Sequence, residues 1–390
     1  MAKKKFNTNN LVIICEGTET EWPYFEYIKN KVENNFDDIK VLPNPDDKDT
    51  LHELCRRENR KLKKIAHQPN GLPKKYPLYV TLVESENDVD ANYNKYKRAP
   101  AKYVREAYLW LKEGYSEAWA VYDLDDTDDP DHSVHQCAKE LKESLQDLYI
   151  AFSAYSFEEW ILLNFERCAT AFRHSACKSK NAIKEDSNCN GRSCHYKSRC
   201  IAECIGDYLT RQGHVAYIRD KYPDPQTIDE KGYSKKDGKS FARAICEDEK
   251  LRRRAYINAA WSRSLNNGIF YDCNPYSDVD KLVMRLLGEK IDIKWVTVSE
   301  EFTLGHNKFT IVKKADGALY ISHKGTNNAV LNTDQLYWCD DRDYDKKEDA
   351  VSGANISFTQ GDKDKPLLTS ETYTVLCVKE NNQEFYFDNE

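Results

Sequence analysis

Leu11, Val12, Ile13 and Ile14 form an unbroken apolar run, with Cys15 directly behind it. A strand with one wet face alternates apolar and polar residues, whereas a continuous run suits a strand buried on both faces, as in a parallel sheet covered by helices. The turn that follows, Glu16-Gly17-Thr18-Glu19-Thr20-Glu21, has one glycine among three carboxylates. A phosphate-binding turn in that place would present several glycines and bare backbone N–H groups. The negative charge calls for a different partner.

The strand-then-helix texture recurs along the chain. DIKVLPNP gives a second short strand, and DTLHELCRRENRKLKKIAHQ a basic amphipathic helix capped by Asp49 or Thr50. Residues 68–100 are irregular, with PLYVTLVES as one further candidate strand. KYVREAYLWLKEGY is helical, and SEAWAVYDLDDTDD is a buried strand that empties into an acidic loop. SVHQCAKELKESLQD is helical, LYIAFSAYS is a strand, and FEEWILLNFERC opens a helix at once. Strands alternating with helices in this order predict an α/β fold with a mostly parallel, Rossmann-like sheet flanked by helices. In such sheets the chemistry gathers at the C-terminal ends of the strands. Three of those ends carry carboxylates: Glu16, then Asp123 with Asp125, then Glu158.

The pattern breaks between about residues 166 and 232, a stretch rich in Cys, Ser, Asn and Lys that reads as an insertion. Helical character returns with KSFARAICEDEKLRRRAYINAAWSRSLN and NPYSDVDKLVMRLLG. From about Ile291 the texture is that of β-hairpins, one turning at Ala315-Asp316-Gly317 and another at Asn381-Asn382. The expected organisation is a catalytic α/β domain over 1–290 with a Cys-rich insertion, and a small all-β accessory or sensor domain over 291–390.

Composition narrows the function. With 40% hydrophobic and 32% charged residues the chain is globular and not disordered. It has no apolar stretch long enough to span a bilayer, and LVIIC is too short for a signal peptide, so a cytoplasmic, membrane-free protein is expected. A net charge of −7 excludes a global field for nucleic acid. Local basic runs exist at Arg56, Arg57, Arg60, Lys61, Lys63 and Lys64, and at Arg252, Arg253 and Arg254; each alone also reads as a solvated helix face. The 13 cysteines, in a chain without an export signal, read as metal ligands or core residues. Cys189, Cys194, Cys200 and Cys204 can staple the insertion through a structural Zn²⁺, with Cys168, Cys177, His174 and His195 nearby. The alternatives are free thiols, or Cys200 and Cys204 packed on one helix face.

Asp123 and Asp125 are two apart on a strand, so both carboxylates face the same side, and Glu16 at a neighbouring strand end can join them. Such oxygen ligation suits Mg²⁺ or Mn²⁺ and phosphoryl chemistry. Taken singly, the same aspartates serve as turn formers or helix caps. His132 and His135 follow the acidic loop, where each reads as a general base or as a cap.

The order of these features resembles the TOPRIM fold of topoisomerases, primases and OLD-family nucleases, and more closely the RloB-like family of RloB and AbiL-type bacterial phage-defence proteins. The first motif of that family is matched by Cys15, Glu16, Gly17, Thr20, Glu21, Tyr24 and Phe25. Its Asp-x-Asp strand is matched by Asp123-Leu124-Asp125, and its Phe-Glu-x-Trp run by Phe157, Glu158, Trp160, Ile161, Leu162 and Leu163. Its Tyr-x-Lys is matched by Tyr233-Ser234-Lys235, and its Asn-Pro-Ser/Thr by Asn274-Pro275-Tyr276-Ser277. The usual Asn-Pro-Cys before Phe-Glu is Ala154-Tyr155-Ser156 here, and Leu124 stands where the family often has Arg.

The resemblance implies a metal-dependent endonuclease. Glu16, Asp123 and Asp125 would hold Mg²⁺ or Mn²⁺, Glu21 and Glu158 would support them, and Lys235, with Lys236 beside it, would stabilise charge on phosphorus. It implies cleavage of RNA, tRNA included, or DNA during abortive phage infection, under restraint by an AAA/ABC-type ATPase partner. The basic runs would then carry the nucleic-acid backbone. A homo-oligomer stays open. So do two other classes: a non-catalytic TOPRIM-like module that senses a phage product or nucleotide signal, and a scaffold whose acidic strand ends cap helices.

Overall fold

The structure, a computed structural model, describes residues 9–32, 35–44, 99–124, 132–143, 145–172, 204–228, 230, 232–265, 268–340, 344, 347–359 and 364–389. Asp125, the basic helix with Arg56, Arg57 and Arg60, the strand PLYVTLVES, and Cys189, Cys194 and Cys200 lie outside the described residues. The chain divides into two compact units. The first comprises 1–161, 170–247 and 268–287, the second 162–169, 248–267 and 288–390. The division therefore is not a single point at residue 290, because the β-rich C-terminal region takes two earlier segments into its own unit.

The first unit is built on β1 (Asn10–Cys15), α1 (Glu21–Lys31), β2 (Asp38–Leu42), α2 (Ala101–Glu113), β3 (Glu117–Asp123), α3 (Ser133–Glu143), β4 (Leu148–Ser153) and the start of α4 (Glu158–Leu163). The four strands form one sheet in the order β2-β1-β3-β4, and every pair is parallel. Leu11 to Cys15 have no exposed surface, which accounts for their unbroken hydrophobicity. Helix α2 lays Val104, Ala107, Tyr108 and Leu109 into the core under β1 and β3, and ends at Gly114 with φ 114°. Glycine reaches that left-handed cap without a Cβ penalty.

Two features of this topology position the site. From β1 the chain first moves outward to β2 and later returns to β3 on the other side, so the C-terminal ends of β1 and β3 flank a switch point where the strand order reverses. Crossover helices between parallel strands run back along the sheet, so their first turns sit at the strands' C-terminal ends. Glu21, Tyr103, His135 and Glu158 all occupy such first turns.

Beyond α4 the described part of the insertion contains two helices, α5 (Ile205–Arg211) and α6 (His214–Lys221). The helix expected over 239–266 is two helices. α7 (Gly238–Glu247) belongs to the first unit and α8 (Glu249–Ser264) to the second. Asp248 breaks them: its backbone is extended, and its carboxylate accepts the Leu251 N–H at 3.1 Å as the N-cap of α8. α9 (Val279–Leu287) completes the first unit.

In the second unit one sheet runs in the order β11 (Lys347–Asp349), β10 (Leu336–Cys339), β14 (Val375–Glu380), β15 (Gln383–Asp388) and β5 (Asp292–Trp295). A further sheet holds β13 (Lys365–Pro366), β8 (Leu319–His323), β7 (Asn307–Lys313) and β6 (Glu301–Leu304), and β9 (Ala329–Asn332) pairs with β12 (Asn355–Phe358). Both expected hairpin turns are present, between β7 and β8 and between β14 and β15. Phe302, Phe309, Trp338, Phe358, Phe385 and Phe387 fill the core.

Candidate functional site

The acidic strand ends meet. Glu16 continues β1 for one step, its N–H donating to the Val121 carbonyl at 2.9 Å, and its Oε2 accepts the Asp123 N–H at 3.1 Å. Asp123 Oδ2 in turn accepts the Phe157 N–H at 3.3 Å, which ties the end of β3 to the entrance of α4. Glu21 lies so close behind Gly17 that a Cβ on that glycine would collide with a Glu21 carboxylate oxygen. A side chain at position 17 would therefore have to displace the Glu21 carboxylate. Glu158 opens α4 and accepts the Tyr233 hydroxyl at 2.6 Å.

The electrostatics confirm that these groups share one space. Burial, reinforced by Glu158 and Glu16, pushes the Glu21 carboxyl up to about 7, against backbone hydrogen bonding and Lys235, which act to lower it. Burial works to lower the Lys235 pKa, but Glu158, Glu21, Asp123 and Glu19 outweigh it and hold the ammonium above its ordinary value. Lys236, exposed like Lys235, lies instead 3.8 Å from Glu230. Of the two neighbouring lysines, Lys235 faces the carboxylates.

Two tyrosines complete the setting. Tyr233 is half-buried, and desolvation followed by Glu158 raises its hydroxyl well above the usual range, so it serves as a neutral donor. Tyr103, in the first turn of α2, hydrogen-bonds the Glu16 carboxylate; burial and then Glu16 raise it in the same way. The sequence gives no motif for Tyr103, whose only signal is its place in a first turn. If the cluster is a hydrolytic centre, replacing Tyr103 by Phe is expected to leave the fold intact and to lower the rate about tenfold, because Glu16 loses an orienting partner; steady-state rates beside a thermal melt check this.

Other motif residues have structural work. Trp160 Nε1 donates to the Tyr24 hydroxyl at 2.8 Å, and Tyr24, Phe25 and Phe157 pack edge to face at 5.2–5.8 Å. This aromatic post joins α1 to α4 and so sets Glu21 against Glu158. Ser277 bridges back to Ser153 and Asp278 accepts the Phe152 N–H at 2.6 Å, so the Asn-Pro-Tyr-Ser segment closes the end of β4. His132 stacks on Tyr271, and His135 sits buried among Tyr122, Phe152 and Tyr271. These histidines are packed in an aromatic cluster.

The run Arg252–Arg254 is not an open basic patch. Arg252 pairs with Glu289 at 2.9 Å, Arg253 pairs with the buried Glu384 at 2.7 Å, and Arg254 reaches the Phe165 carbonyl at 3.5 Å. The arginines expected to carry a phosphate backbone are engaged inside the second unit. Cys204, the described member of the cysteine cluster, is fully buried as the residue before α5.

The donor set is all oxygen, which fits a hard divalent cation and not Zn²⁺. Among the described residues no group of three His, Cys, Asp or Glu is arranged to hold a metal ion. Glu16 and Asp123 would be two of its ligands, and the expected third, Asp125, lies outside the described residues.

The fold and this site define a class: an α/β protein with a parallel sheet and a lysine-bearing carboxylate cluster at the switch point between β1 and β3. A family model described as RloB-like protein matches residues 11–286, more than half of the chain, and the chain belongs to that family. The match spans Glu16, Glu21, Asp123, Glu158 and Lys235 and ends within α9. No curated protein and no solved structure matches the chain. Among the described residues no helix is long and apolar enough to cross a membrane.

Proposed function

We propose that the chain is a cytoplasmic, TOPRIM-like nuclease that hydrolyses phosphodiesters in RNA or DNA with a divalent cation, as an effector of abortive phage infection held in check by an ATPase partner. The observation that supports this reading is the convergence of Glu16, Glu21, Asp123, Glu158 and Lys235 at the switch point. When bound, Mg²⁺ or Mn²⁺ supplies Lewis-acid polarisation of the phosphodiester and a more acidic water. Glu16 and Asp123 would supply its oxygen donors. Lys235 is kept protonated by its carboxylate neighbours and offers a fixed positive charge to the oxygens on phosphorus. Glu21, titrating near neutrality, is matched to proton exchange at working pH. Tyr233 holds Glu158 in place by its hydroxyl.

The test is direct. The protein is incubated with Mg²⁺ and with RNA, tRNA and DNA, and cation binding is titrated in parallel for wild type and Asp123→Asn. Cleavage that requires Mg²⁺ and disappears in the variant supports the reading. The nuclease reading fails if Mg²⁺ neither binds nor supports cleavage and Asp123→Asn is as toxic to cells as wild type.

The cluster also predicts a pH dependence of stability. Glu21 titrates at about 7 in the folded chain against 4.5 for an ordinary glutamate, so between those pH values the folded state binds more protons than the unfolded one. Its stabilising contribution is complete below about pH 4.5 and is lost as pH rises through about 7, a decline of roughly 3 kcal/mol. Urea midpoints from pH 4.5 to 8 are expected to fall across this window, less so in Glu21→Gln. Added Mg²⁺ is expected to flatten the fall, because a cation stabilises the ionised cluster.

A further inference from the structure

The segment that carries Tyr233 and Lys235 is held from behind by one guanidinium. Arg219, in α6, donates from Nε to Asp237 Oδ1 and from Nη2 to Asp237 Oδ2, both at 2.7 Å. The same Nη2 reaches the Gly232 carbonyl at 2.8 Å, and Nη1 takes the Glu230 carbonyl. Asp237 has no exposed surface, and it also accepts the Ser234 N–H at 2.8 Å, while the Ser234 hydroxyl accepts the Lys236 N–H. Together these make a reciprocal cap around the turn Lys235–Asp237. A further tie comes from α5, where Thr210 Oγ1 accepts the Tyr233 N–H at 2.8 Å. The fastenings grip the backbone, and the Tyr233 and Lys235 side chains are left to the carboxylates.

We propose that Arg219 is a positioning residue of the site: through Asp237 and the Glu230 and Gly232 carbonyls it fixes the backbone that delivers Lys235 and Tyr233 to the carboxylate cluster. The kinetic part of this inference rests on the phosphodiesterase reading above. The demand is for arginine specifically, because a planar fork serves a carboxylate and two carbonyls at once, whereas a lysine brings a compact charge that cannot span them. A role in stability alone is a poor explanation, since a buried ion pair is often no better for stability than an apolar pair of similar volume.

Arg219→Gln, Arg219→Lys and Asp237→Asn are compared with wild type in the full chain by amide hydrogen exchange and by cleavage kinetics. Exchange over residues 230–240 is expected to accelerate about tenfold or more while peptides from β1 and β3 stay unchanged, the mark of a local opening. With the cleavage assay, kcat is expected to fall about 100-fold with KM within about twofold, because Lys235 is misplaced and not removed. Arg219→Gln placed on Lys235→Ala is expected to add less than about threefold, since both act through the same group. Unchanged exchange over 230–240 in a folded variant overturns the proposal. So does a full additive loss on top of Lys235→Ala. Should Arg219→Gln fail to fold, Arg219→Lys and Asp237→Asn carry the same comparison. Should the wild type cleave nothing with Mg²⁺, the nuclease reading falls, while the exchange data still decide whether Arg219 holds the segment.

Discussion

On the proposed nuclease reading, replacing Glu16 by Gln is expected to lower phosphodiester cleavage by about a thousandfold or more, the loss of roughly 4 kcal/mol of transition-state stabilisation. The substitution keeps the side-chain shape and one carbonyl oxygen, so the Asp123 N–H that Glu16 Oε2 accepts at 3.1 Å retains an acceptor. What disappears is a full negative charge at the point where β1 and β3 end. The same charge works against the fold, since Glu16 raises Glu21 and also opposes ionisation of Tyr103. Folding stability at pH 8 is therefore expected to hold or rise while activity collapses. That opposite movement separates a functional carboxylate from a structural one. Single-turnover cleavage and a urea melt on the same preparation decide it. An active Glu16→Gln enzyme, or an inactive one that is also unfolded, would remove Glu16 from the proposed chemistry.

Much of this arrangement is legible in the sequence, for physical reasons. Leu11 to Ile14 and the run Ala118 to Tyr122 are apolar without alternation because both faces of their strands are covered, so the pattern alone marks parallel strands. A carboxylate at the end of such a strand, or opening the helix that follows it, stands out, which is why Glu16, Asp123 and Glu158 are visible. Hairpins announce themselves by their turns. What is not legible depends on partners far along the chain. Tyr103 finds Glu16 across 87 positions of sequence, by the accident of a first turn meeting a strand end. Arg219 looks like any charged residue on a surface helix until Asp237 is folded against it. The Asp248 break between α7 and α8 does have a signal, an Asp followed by Glu249 in the first turn, but it is masked because helical residues continue on both sides.

The basic run Arg252–Arg254 is the clearest case in which local sequence misleads, and it yields the second large effect. Arg253 Nη2 lies 2.7 and 2.8 Å from the two oxygens of Glu384, which is almost completely enclosed. The Tyr386 hydroxyl donates to the same carboxylate at 2.8 Å. Charges removed from water in this way are tolerated only as a pair, and deleting one partner leaves the other buried and uncompensated. Glu384→Ala is accordingly expected to destabilise the second unit by about 3 kcal/mol, seen as faster amide exchange in β14 and β15. Removing both charges together, with Arg253→Met and Glu384→Leu, is expected to recover most of that loss, because the apolar pair has nothing to desolvate. A nucleic-acid role for Arg253 predicts the reverse pattern. Glu384→Ala would free the guanidinium and tighten salt-dependent RNA or DNA binding with little change in stability, and the double variant would bind less. Exchange rates and a salt titration on the same three proteins tell the two apart, and the enclosed Glu384 places the larger effect on stability.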